Sequence, residues 1–99
     1  MQTQHTGYLI SDDDVEAVYQ AIQKGGEETH LSLMIICYNT YKEIAIDLFT
    51  SIAFGLSYDY MTTYMHDINI SRNMFYAYRR KVLSVWAIMN GYEVKTVRD

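Results

Sequence analysis

The stretch Ser71 to Asn90, SRNMFYAYRRKVLSVWAIMN, constrains this chain more than any other. Its apolar residues Phe75, Tyr78, Val82, Val85, Trp86 and Met89 recur at steps of three and four, the period of one buried helix face. Ser71 is placed to accept a hydrogen bond from a first-turn amide, and Gly91 to close the helix in a left-handed conformation. The same stretch carries Arg72, Asn73, Tyr76, Arg79, Arg80 and Lys81, which this periodicity leaves largely exposed. Such a helix either recognises a partner through its basic flank or is a core helix with a solvated side.

The remaining segments supply elements to cover that stripe. Ser11-Asp12-Asp13-Asp14 opens a helix with an N-cap and three acids at its positive end, and Val15, Val18, Tyr19 and Ile22 make one apolar face before Gly25-Gly26 ends it. Consecutive acids on a helix point to different sides and converge poorly on a metal ion. The segment 27–38, EETHLSLMIICY, fits a helix or a buried strand. No second strand is evident to pair with it, which favours a helix capped by Thr29, with His30 as a capping or surface residue. Thr40-x-x-Glu43 has the form of a capping box. The helix it starts carries Ile44, Ile46, Leu48, Phe49, Ile52 and Ala53, stops at Gly55, and is apolar on more than one face, as a central helix would be. Ser57 caps a short helix from Tyr58 to about Met65, and His66 to Ile70 turns the chain into Ser71.

The expectation is an all-α domain, a small bundle of four to five helices over residues 11–91 that contains a helix-turn-helix-like unit. Residues 1–10 are expected to form an N-terminal arm, loose or shortly extended, and residues 92–99 a tail that is a short strand or an arm. Ninety-nine residues suit one domain. No apolar run approaches the roughly 18 residues of a membrane span, and no signal peptide is read at the start, so the expectation is a cytoplasmic protein without a membrane partner. The single cysteine, Cys37, lies in an apolar run and reads as a buried thiol.

Enzyme chemistry finds no footing. There is no phosphate loop, no Cys-x-x-Cys and no His-Glu-x-x-His, and His5, His30 and His66 are widely separated. No catalytic residue, metal site or cofactor is expected. The formal net charge of −4 argues against nucleic-acid binding by bulk electrostatics. The charge is uneven, however: between Arg72 and Lys81 there are four basic residues and no acid. Ten tyrosines exceed what a helical domain of this size buries with satisfied hydroxyls, which places some at a partner surface.

The layout Gly55-Leu56-Ser57, short helix, turn, Ile70-Ser71-Arg72-Asn73, long helix follows the entry to a recognition helix in helix-turn-helix domains. Arg pairs bidentately with guanine and Asn with adenine, so Arg72 and Asn73 are candidate base readers. On this reading the DNA face comprises Ser71, Arg72, Asn73, Tyr76, Arg79, Arg80 and Lys81, with the last three as phosphate contacts. The turn from Met61-Thr62 to Ile70 is longer than the standard one, and Tyr58, Asp59 and Tyr60 stand where basic residues suit a backbone contact.

From about Gly26 to Met89 the chain resembles the PapB family, small helical regulators of fimbrial (adhesin) operons in enteric bacteria. The resemblance is carried by His30-Leu31-Ser32-Leu33-Met34-Ile35, by the Gly55-Leu56-Ser57 step, and by Asn73-Met74-Phe75-Tyr76. The family's basic residues after its Gly-x-Ser step are here Tyr58-Asp59, and its recognition glycine is absent. The resemblance implies a homo-oligomer that binds AT-rich double-stranded DNA near a promoter. The rival expectation is a non-enzymatic protein–protein interaction module, such as a plasmid- or phage-encoded inhibitor of a host protein, which suits the acidic charge and the surplus of Tyr and Met.

Overall fold

The computed structural model describes residues 7–92 and 95–97. Helix α1 spans Asp12–Lys24, α2 Glu27–Thr40, α3 Ala45–Phe54, α4 Tyr58–Tyr64 and α5 Arg72–Met89, with one 3-10 turn at Lys42–Ile44. Serine caps fix where α4 and α5 begin, and left-handed glycines close α3 and α5. The expected Ser11 cap of α1, by contrast, makes no bond to a helix amide, and its hydroxyl donates to the Asp14 carboxylate at 3.0 Å instead. Ser57 Oγ accepts the Tyr60 amide at 3.0 Å and Ser71 Oγ accepts the Met74 amide at 3.2 Å, so both caps act as their residue type implies. Gly55 (φ 73°) and Gly91 (φ 84°) stand in the left-handed region that closes α3 and α5. After α5 the Gly91 amide reaches the Ile88 carbonyl and the Tyr92 amide the Ala87 carbonyl, a Schellman closure. The expected all-α bundle is therefore the fold, and residues 31–38 are helical.

One short strand before α1 pairs with one after α5. Strands β1 (Gly7–Leu9) and β2 (Lys95–Val97) pair antiparallel, Gly7 opposite Val97 and Leu9 opposite Lys95. Ile10, directly after β1, is part of the core. Its amide donates to Ser84 Oγ at 2.8 Å, and its carbonyl accepts from the Arg80 guanidinium at 2.6 Å. Both backbone groups of a buried residue thus find partners on α5, as burial requires. The N-terminal arm is an extended piece as far as residues 7–10 are concerned; residues 1–6 lie outside the described residues.

The core joins Val18 and Ile22 of α1, Leu33, Ile36 and Cys37 of α2, Leu48 and Ile52 of α3, Met61 of α4, and Phe75, Val82, Leu83 and Trp86 of α5. Helix α3 packs against α1, α2 and α5, the position its many-sided apolar character implied. Three expectations need correction. Thr40 does not open α3: it is the last residue of α2, and its hydroxyl donates to the Ile36 carbonyl at 2.8 Å. A Thr side chain serves the carbonyl four residues back as readily as an amide ahead of it. Thr29 lies inside α2, whose N-cap is Gly26. The buried stripe of α5 is also rotated from the sequence reading, because Leu83 and Ala87 are buried while Tyr78 and Val85 are half-buried and Met89 is 63% exposed.

Replacing Ser84 with Ala strands the buried Ile10 amide. The expected cost is about 1–3 kcal/mol of stability, read as a lower midpoint in urea unfolding with an unchanged slope.

Candidate nucleic-acid interface

The short α4 is seated on α5 by one tyrosine. The Tyr58 amide donates to Tyr76 Oη at 3.0 Å, its own hydroxyl donates to the Ile70 carbonyl at 2.7 Å, and its ring lies 5.4 Å from that of Phe75. The long turn between the helices is anchored in the middle, where Ile68 is buried. His66 of the same turn reaches Asp47 of α3, Nε2 to Oδ1, at 2.7 Å. The additional turn residues thus carry one apolar and one polar anchor.

This unit separates the residues expected on one DNA face. Ser71 is consumed in capping, and Arg72 and Asn73 are exposed beside it. Arg72 lies 3.7 Å from Asp59 of α4, both largely in solvent, so the pair is weak and readily exchanged. Met74 and Ala77 are exposed on the same half of α5; the sequence reading passed over them because neither is polar. Tyr76 is half-buried, with its hydroxyl occupied by the Tyr58 amide.

Arg79 and Arg80 point inward instead. Arg79 Nη1 donates to Ser51 Oγ at 3.2 Å, and its guanidinium lies 4.7 Å from the Tyr19 ring and 5.4 Å from the Tyr76 ring. Arg80 holds the Ile10 carbonyl. The expectation that the periodicity leaves both exposed is corrected: long arginine stems pass along apolar surface while the head reaches a buried acceptor. Lys81 is exposed on another side of the helix, where it lines a shallow groove of about 400 Å³ with Ile35, Asn39, Val85 and Met89. The structure brings together Ser71, Arg72 and Asn73, with Arg72 6.0 Å from the Tyr76 ring, while Arg79 meets that ring at 5.4 Å with its guanidinium turned to Ser51, and Arg80 and Lys81 lie elsewhere.

The first turn of α5 differs electrostatically from those of the other helices. Acids stand in the first turn of α2 (Glu27, Glu28), α3 (Asp47) and α4 (Asp59), and α1 opens Asp12-Asp13-Asp14. The carboxylates of Glu27, Glu28, Asp47 and Asp59 offset the positive ends of their helix dipoles. In α5 the first turn has no acid and carries Arg72. The helix dipole and a cation therefore add at one exposed point, where the only carboxylate of the described residues paired with Arg72 is the solvent-exposed Asp59 of α4 at 3.7 Å.

Other chemistry is sparse. His30 sits within α2 with Nε2 3.2 Å from the Ile22 carbonyl and its ring edge-on to Phe49, which makes it a half-buried partner for the end of α1. Among the described residues no cluster of three His, Cys, Asp or Glu is placed to hold a metal ion, and no helix is long and apolar enough to cross a membrane. Desolvation pushes the fully buried Cys37 thiol up from 9.0 to about 12. No family model, curated protein or solved structure matches the chain.

Two outcomes follow from these contacts. Arg79→Ala removes a hydrogen bond and two cation–ring contacts, so unfolding is expected to become easier by about 1–3 kcal/mol. Cys37 is expected to resist a thiol reagent at pH 8 until denaturant is added. Because its folded pKa is raised, its contribution to stability is complete below pH 9 and falls as pH rises towards 12; chemical denaturation across that range checks the sign.

Proposed function

We propose that the protein is a DNA-binding transcriptional regulator of a bacterial operon, of the fimbrial (adhesin) type, which meets double-stranded DNA through the first turn of α5. The observation that carries this reading is that first turn: exposed, free of acids and bearing Arg72 and Asn73. α4 and the anchored turn hold it outward, as the first helix of a helix-turn-helix unit holds a recognition helix. Arg72 and Asn73 are the side chains for base edges, and the positive helix end favours an adjacent phosphate. Two of the three segments that carry the PapB resemblance, the Gly55-Leu56-Ser57 step at the close of α3 and Asn73 to Tyr76 at the start of α5, flank this unit and support the same reading.

The inward turn of Arg79 and Arg80 changes the expected energetics. With fewer cations on the surface, fewer phosphates are neutralised per protomer, and the slope of log affinity against log salt, about 0.9 for each phosphate contacted, is correspondingly shallow. Anisotropy titration of a labelled AT-rich duplex at low and moderate salt tests this. Arg72→Ala is expected to weaken binding about tenfold or more, while Arg79→Ala, where folded, binds within about twofold of the parent chain. Absence of binding at low salt, or an Arg72→Ala variant that binds like the parent, overturns the reading.

The rival, a protein-interaction module, takes its support from a different surface, the outer side of α2, where Leu31, Ile35 and Tyr38 stand exposed.

A further inference from the structure

The chain has four asparagines, Asn39, Asn69, Asn73 and Asn90, and only Asn90 precedes a glycine. The side-chain amide of an asparagine is an electrophile within one ring closure of the next backbone nitrogen. A side chain on the following residue crowds that attack, and Thr40, Ile70 and Met74 present this obstacle to the other three. Gly91 has no Cβ, and no atom beyond its chain neighbours stands within 4 Å of where one would sit. Asn90 and Gly91 are both exposed, so base and water reach the bond between them.

The closing turn of α5 holds this pair in an unreactive arrangement. Asn90 Nδ2 donates to the Trp86 carbonyl at 2.8 Å, and the Gly91 amide donates to the Ile88 carbonyl at 3.2 Å. Electrophile and nucleophile are thus both committed to the helix end. Ring closure also needs the Gly91 nitrogen on the side-chain side of the Asn90 Cα–C bond, and a ψ of 19° turns it away. Reaction therefore waits for the turn to open, and helix ends open more readily than a core.

We propose that Asn90 is a deamidation site whose rate is set by opening of the closing turn of α5. In the opened turn the Gly91 nitrogen, its proton removed by hydroxide, attacks Asn90 Cγ. The N–Cγ bond forms, the Cγ–Nδ2 bond breaks, and ammonia leaves with a proton taken from water. Water then opens the five-membered succinimide. Cleavage of the new N–Cγ bond leaves an aspartate at position 90, and cleavage of the original backbone C–N bond leaves an isoaspartyl linkage through the side chain. Nothing is oxidised or reduced: one water is consumed and one ammonia released.

Either product opposes the closure that guarded the site. The Trp86 carbonyl loses its side-chain donor. A carboxylate then stands at the negative end of the α5 dipole, where the last turn has no basic residue to offset it. The isoaspartyl form also adds a methylene to the backbone, which takes the Gly91–Ile88 and Tyr92–Ala87 bonds out of register. That closure sets the Tyr92 ring 6.0 Å from Trp86 and leads into β2, whose partner β1 runs into the buried Ile10. Deamidation thus loosens β2 from the bundle. The site lies at the far end of α5 from Arg72, so it stands independently of what the first turn binds.

Peptide-mapping mass spectrometry of the full chain, incubated folded and in parallel in unfolding urea, tests the proposal. Asn90 is expected to gain one mass unit, with an isoaspartyl fraction, ahead of Asn39, Asn69 and Asn73. The folded chain is expected to convert about tenfold or more slowly than the chain in urea. Asn90→Gln, which keeps the amide but enlarges the ring to be closed, is expected to stay unmodified. Asn90→Asp is expected to fold with a lower urea midpoint than the parent chain. Four results overturn the proposal: Asn90 unchanged in the folded chain while it converts in urea, equal rates in the two, another asparagine converting first, or an Asn90→Asp midpoint equal to the parent's.

Discussion

Three parts of the fold converge on the buried side chain and carbonyl of Ser51 in α3. Its hydroxyl donates to the Leu56 carbonyl at 2.6 Å and accepts from Arg79 of α5 at 3.2 Å. Its backbone carbonyl accepts from the Tyr19 hydroxyl of α1 at 3.3 Å and from the Leu56 amide at 3.1 Å. One small polar residue of α3 therefore links α1, the corner into α4, and α5. The tightness of the corner has a backbone cause as well, since Gly55 adopts φ 73° with Gln23 and Tyr19 packed against it. A Cβ there would stand 3.2 Å from the Gln23 side-chain nitrogen in a conformation that L-residues rarely adopt. Serine gives the half-buried Arg79 an acceptor without placing a carboxylate in the core, which avoids the desolvation of an ion pair.

That knot explains the division of labour along α5. Arg79 is drawn inward to Ser51 and to the faces of Tyr19 and Tyr76, and one position later Arg80 is drawn to the Ile10 carbonyl. The middle of the helix is thereby committed to the domain's interior, despite its basic sequence. The first turn, held outward by Tyr58, Ile68 and the Ser71 cap, is where cationic and hydrogen-bonding side chains stay accessible. The second half turns Val85 and Met89 towards the groove shared with α2. One helix is structural at its centre and available at both ends.

Much of this was legible from local chemistry. The Ser57 and Ser71 caps and the Gly55 and Gly91 stops depend on nearby residues, and the sequence pattern located them. The pattern of residues 31–38, by contrast, fitted helix or strand, and only the lack of an evident pairing strand favoured the helix that forms. What failed depended on partners far along the chain. Thr40 and Glu43 have the letters of a capping box, but the Thr40 hydroxyl found the Ile36 carbonyl instead. A period count that scores arginine as polar cannot foresee Arg80 crossing to Ile10, seventy positions away. In α2 the apolar residues surround the helix, so the pattern gave no face, and only packing separates buried Leu33 and Ile36 from exposed Leu31 and Ile35. The candidate site was half legible for the same reason: the first turn is local, and the expected phosphate contacts are not.

The central claim is that only the start of α5 faces a nucleic-acid partner. Amide chemical-shift mapping of the isotope-labelled chain during titration with an AT-rich duplex tests it most directly. The account gives the largest changes at residues 71–74 and 77, with small ones around Arg79, Arg80 and the outer side of α2. Changes concentrated along residues 31–38, or centred on residues 79–81 with the first turn silent, would contradict it.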